Sequence, residues 1–186
     1  VFVAKGLENL IERNKAAILK KWFDLAVQVY APDTAKFLKT RKDHFANPVG
    51  SNTLKGLEGL LDQLLTGLDR TTINAYLDPI IRIRAAQAFT PSQAIGFIFS
   101  LKSLLRGILE KELQDDTIGE ALKQIDFDID QMGLIAFDLY MECREKILQI
   151  GANETRNRIF SAFARAGLIS DTAESPPKIK KTMDSL

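Results

Sequence analysis

Histidine and cysteine are nearly absent from this chain: each occurs once, as His44 and Cys143, among 186 residues. A single thiol leaves no intramolecular disulfide, and a reducing compartment is the simpler setting for it. One imidazole excludes by counting a zinc site built on several histidines, a paired-histidine iron site and a triad drawing on more than one. No glycine-rich phosphate loop, dinucleotide fingerprint or nucleophile elbow occurs. The expectation is a protein that is not an enzyme and carries no cofactor. Its 25 basic residues nearly balance 24 acidic ones, with no long block of either sign, which argues against nucleic acid as a partner. The longest uncharged run, Ala85 to Leu101, is interrupted by Gln87, Thr90, Pro91, Ser92 and Gln93 and is too short for membrane insertion. Val1 to Ala4 is too short for a signal-peptide core, so the location expected is cytoplasmic.

What the chain does have is helical periodicity. Apolar residues fall at 118, 122, 125, 129, 132, 136, 139, 143, 147 and 150, steps of three and four that draw one continuous seam along a long helix. Ile129, Met132, Ala136, Leu139 and Cys143 are the seam residues expected to be hidden, either in the domain core or against a second subunit. The spacing leaves those two open.

Upstream, a first helix is predicted from Leu7 to Tyr30, a short second one to Thr40, and a shaped turn at Asn47-Pro48-Val49-Gly50. A helix from Ser51 to Leu65 should stop at Gly67, and Asp69 should open another. Asp78-Pro79 reads as a cap followed by a first-turn proline, starting a segment to Ala88. Thr90-Pro91-Ser92-Gln93 is a full capping box for a helix to Leu113, on which Ser92, Gly96, Ser100, Ser103 and Gly107 would admit a close neighbour. Thr117 and Glu120 form a second capping box for the long helix. Past Gly151 the apolar phase shifts: Ile159 lies opposite Ile150 on a helical wheel, and a break at Gly151 is the reading favoured over continued helix packed elsewhere. The result is an all-α chain, with a helical domain over 1–169 and a flexible polar tail over 170–186.

Four features invite chemistry and each has a plainer reading. Asp126-Phe-Asp128-Ile-Asp130 resembles the opening of a calcium loop but lacks its sixth-position glycine and its final glutamate, so a solvated acidic face explains it better. Glu110, Glu112, Asp115 and Asp116 read as a charged helix end, and Arg82, Arg84, Lys102 and Arg106 as a basic patch too weak for nucleic acid. Phe45, Phe89, Phe97 and Phe99 are the candidate lining of a small-molecule pocket, although ordinary packing accounts for such aromatics more often. A haem-binding sensor would have to use His44, Cys143 or a methionine as its ligand.

Two stretches, His44 to Gly50 and Arg82 to Phe97 continuing through Leu101-Lys102, resemble the N-terminal sensory domain of RsbR-type regulators. The resemblance extends over roughly residues 5 to 165. It implies a globin-like helical bundle without haem, a homodimer, and a signal passed through the last helices to a STAS domain in stress-signalling assemblies. Here only polar sequence follows Ser170 in place of a STAS domain, which leaves two outputs open: binding to a separate regulatory protein partner, or sensing on behalf of a nearby complex.

Overall fold

The computed structural model describes residues 5–40, 45–87, 89–111 and 115–168. His44 and the expected polar tail lie outside the described residues. Six helices and no strand occur among those described: α1 (Lys5–Val27), α2 (Pro32–Thr40), α3 (Pro48–Thr66), α4 (Arg70–Ala86), α5 (Pro91–Ile108) and α6 (Asp116–Arg165). The protein is all-α and ends in a long helix. The chain divides into two compact units, residues 1–141 and 142–186, the second described as far as Leu168.

In the first unit the 3.6-residue stripes meet as their spacing demands. Leu7, Ile11, Ile18 and Trp22 of α1 are fully buried with Leu57, Leu60 and Leu61 of α3, Ile73, Leu77 and Ile81 of α4, and Leu101 and Leu105 of α5. The lone Trp22 donates its indole N–H to the Phe97 carbonyl at 2.7 Å, so its one polar atom is satisfied inside the core. α3 and α4 approach closely because a Cβ at Gly59 would overlap the Tyr76 ring. On α5, by contrast, a Cβ at Gly96 or Gly107 would meet nothing among the described residues, so at these two positions of the small-residue stripe no close neighbour arrives.

The caps sit largely where the sequence put them. Asn47 is buried; its side-chain oxygen accepts from the Gly50 amide at 2.9 Å, and its amide donates to the Leu38 carbonyl at 2.9 Å, tying the end of α2 to the start of α3. Thr90 and Gln93 form the reciprocal capping box of α5. Gly67, at φ 108°, ends α3.

Three expectations need correction. Pro79 lies inside α4 and does not begin a helix: the carbonyl its missing N–H would have served belongs to exposed Ala75, where water can take it. Asp78 does not cap but pairs with Arg82 one turn on, at 2.6 Å. At the start of α6 the cap is Asp115, two residues before Thr117: its carboxylate accepts from the Thr117 amide at 2.9 Å. Finally, α6 runs unbroken through Gly151. One glycine costs a helix only about 1 kcal/mol, so the shift of apolar phase leaves the helix whole and changes only the face on offer.

Candidate functional site

α6 is joined to the rest of the first unit by side chains of several kinds. The Phe99 ring of α5 sits over Gly133, where a Cβ would collide with it. Lys102 reaches Asp130 at 2.6 Å and Arg106 forks onto both oxygens of Asp126, each from α5 to α6. Arg70 at the start of α4 meets Asp138 at 3.0 Å. Near the unit's end Tyr140, buried, donates its hydroxyl to the Phe89 carbonyl.

That carbonyl belongs to an aromatic cluster built round a buried cation. Arg84 is 1% exposed, and its guanidinium donates to the Ala26 carbonyl at 2.6 Å and the Ala94 carbonyl at 2.9 Å. It thereby bridges the last turn of α1, where the helix dipole favours a cation, and the first turn of α5. The Phe97 ring lies 4.5 Å from its centre and the Tyr30 ring 5.9 Å, and Tyr30 packs edge-on against Phe89 at 5.2 Å. Nε of Arg84 has no hydrogen-bond partner among the described residues. Burial pulls its pKa below the ordinary arginine value, and Tyr30 opposes that shift.

The expected pocket phenylalanines are thus distributed over three places. Phe89 and Phe97 flank the Arg84 cluster, Phe99 fills the notch at Gly133, and Phe45 is 94% exposed on the turn before Asn47. Of the seam residues, Ile129, Met132 and Ala136 are buried in the first unit, and Leu139 is half-buried at its margin. Cys143, in the second unit, is half-buried.

A cavity of about 730 Å³ opens elsewhere, between α6 and the turn from α3 to α4. Leu68, Ile73 and Ile135 lie in it, Phe127 and Leu134 stand in it more than half exposed, and the Arg70–Asp138 pair borders it.

The expected basic patch is not one: Arg84 is in the core, and Arg82, Lys102 and Arg106 are each matched to an aspartate. Asp126 and Asp130 are occupied by those cations, and among the described residues no group of three His, Cys, Asp or Glu side chains is placed to hold a metal ion. No described helix is long and apolar enough to cross a membrane. The N-terminal caps Asp69 and Asp115 are held below the ordinary aspartate pKa, chiefly by the Thr72 and Thr117 hydroxyls and then by their amides. Lys15 is raised, first by its hydrogen bond to Asp62.

In the second unit, no residue from Glu142 to Leu168 is buried. Ile147, Leu148, Ile150, Ile159 and Phe163 are all substantially exposed there. The helix ends in a Schellman motif, with Gly167 at φ 68°, its amide on the Ala164 carbonyl at 3.1 Å and the Leu168 amide on Phe163 at 3.0 Å.

The described residues thus form a bundle of helices whose long last helix is partly exposed. Residues 16–155 match the family described as the RsbT co-antagonist protein rsbRD N-terminal domain, and the chain belongs to that family. It is a family of regulatory domains. No curated protein and no solved structure matches the chain.

Sequence reasoning missed Arg84 as a core residue, Gly133 as a notch and Tyr140 as a tether. Arg84 had a signal: it lies one turn beyond Ile80 and three residues after Ile81, on the buried stripe of α4.

Proposed function

We propose that this chain is a globin-like, non-enzymatic regulatory module of the cytoplasm, which pairs with a second copy through the latter part of α6 and passes a change to a separate regulatory protein. The observation that carries this reading is the set of large apolar side chains that stay exposed on α6 after Met141. A helix in water draws most of its stability from packing an apolar face, and from Glu142 to Leu168 none of the described residues of this one is buried.

The uncovered residues are ordered enough to suit a partner. Leu148, Ile159 and Phe163 fall within about 60° of one another on the helical wheel, with Ala152, Ala162 and Ala166 on the same side. Covering the exposed part of each large side chain is worth on the order of 1 kcal/mol, hence about 6 kcal/mol in a two-fold pair. Association costs about 4–15 kcal/mol. The gain meets only the low end of that cost, so a pair resting on these contacts is weak and its population follows concentration. The family's description as the N-terminal domain of a co-antagonist protein supports such a partner-dependent reading.

Hydrogen exchange over residues 142–168 tests the reading. At high concentration these amides should be protected, and dilution should release them while the core helices of the first unit stay slow. Equal rates at all concentrations would remove the pairing surface.

A further inference from the structure

The groove between α6 and the α3–α4 turn is lined by first-unit residues alone, upstream in sequence of the α6 stretch proposed for pairing. Its α6 wall runs from Gln124 to Asp138, which is about 21 Å of helix. Phe127 and Leu134, 56% and 59% exposed, stand two turns apart on that wall, about 10 Å along the axis. Leu68, Ile73 and Ile135 add to its apolar lining. An open trough of this length, with two large apolar residues at a seven-residue step, has the form that receives an amphipathic helix.

Charge selects the kind of helix. Four aspartates lie on this stretch of α6, and three take a cation from another helix: Asp126 from Arg106, Asp130 from Lys102 and Asp138 from Arg70. Asp128, half-buried and lining the groove, receives among the described residues only the Gln124 side-chain amide, at 3.1 Å. The groove therefore presents an apolar trough beside one carboxylate that no lysine or arginine among the described residues neutralises.

We infer that this groove docks an amphipathic helix of another protein, which seats apolar side chains against Phe127 and Leu134 and brings a lysine or arginine to Asp128. The test uses the full chain and two probes: a short helical leucine–lysine peptide with one apolar face, and the same peptide with glutamine for lysine. Shift changes in NMR spectra should gather at Leu68, Ile73, Phe127 and Leu134. Phe127→Ala or Leu134→Ala should each weaken the lysine peptide about tenfold or more. Both side chains are more than half exposed, so these variants keep the core, and unchanged far-ultraviolet circular dichroism checks it. Asp128→Asn should weaken the lysine peptide by up to about fivefold and leave the glutamine peptide unaffected. Shift changes scattered over the surface, or equal affinities across the variants, would overturn the inference. So would tighter binding of dodecylammonium at the same residues, which makes the groove a small-amphiphile site, or loss of self-association in Phe127→Ala, which gives it to a second copy.

Discussion

Arg84→Ala should loosen the first unit more than any surface change. The side chain is 1% exposed and holds two helix ends, through bonds of 2.6 Å to the Ala26 carbonyl and 2.9 Å to the Ala94 carbonyl. Hydrogen bonds from a charged donor contribute about 1.5–3 kcal/mol each, so the pair accounts for about 3–6 kcal/mol. Loss of the stack on Phe97 adds about 1–2 kcal/mol. Against this, the guanidinium is buried with no carboxylate paired to it and no partner for Nε among the described residues, and alanine removes that desolvation cost of several kcal/mol. Alanine also leaves a void and an unpaired carbonyl at the end of α1. The net expected loss is about 3 kcal/mol, or a melting temperature lower by about 6–12 °C for a chain of this size. Urea titration followed by Trp22 fluorescence suits the measurement, since that residue is the only tryptophan, is fully buried, and bonds to Phe97 beside the same guanidinium. The midpoint should fall with an unchanged slope. Arg84→Met, which keeps apolar length against Phe97 and discards the charge, should lose only about 1–2 kcal/mol. An Arg84→Ala protein within about 1 kcal/mol of the parent would refute the bridging argument.

Asn47→Ala should cost about 1–2 kcal/mol in thermal or urea unfolding, because one side chain caps α3 and ties down the end of α2. Gly151→Ala should stabilise the second unit's helix by about 0.5–1 kcal/mol, read as added helicity near its melting point, because a Cβ there meets nothing; a destabilised variant would show that the helix needs glycine at that position. Acid should fray the starts of α4 and α6. The Asp69 and Asp115 carboxylates have depressed pKa values in the folded state, so the stability they contribute is present above the ordinary aspartate value of about 4 and is lost as pH falls through the folded values. Amide exchange at Thr72 and Thr117 should quicken over that window, and in Asp69→Asn and Asp115→Asn proteins the added acid sensitivity should be gone.

The parts of the fold legible in sequence were those set by local rules. The stripe through Ile11, Ile18 and Trp22, the Thr90 capping box, the Asn47-Pro48 turn and the Gly67 stop each depend on residues within a turn or two of one another. Pro79 misled because a proline starts a helix or interrupts one according to whether the carbonyl it leaves is wet, and exposure is a tertiary property. Gly151 misled for a related reason: a phase shift in apolar residues marks a change of neighbour as well as a break. The contacts that carry the site were less legible still. Gly133 beneath Phe99 joins residues on different helices, and Tyr140 reaches Phe89 across 51 positions; neither has a spacing rule. The groove escaped because Phe127 and Leu134 lie off the main seam, where a lone apolar residue on a helix surface is ordinary.

Sedimentation equilibrium of the full chain, from submicromolar to several hundred micromolar, puts the pairing of α6 to its most direct trial. The mass should rise reversibly from 20.8 kDa toward twice that value, and Leu148→Glu with Ile159→Glu should hold it at the lower figure while the first unit stays folded. A chain that remains at 20.8 kDa throughout, or a double variant that associates as well as the parent, would contradict the account.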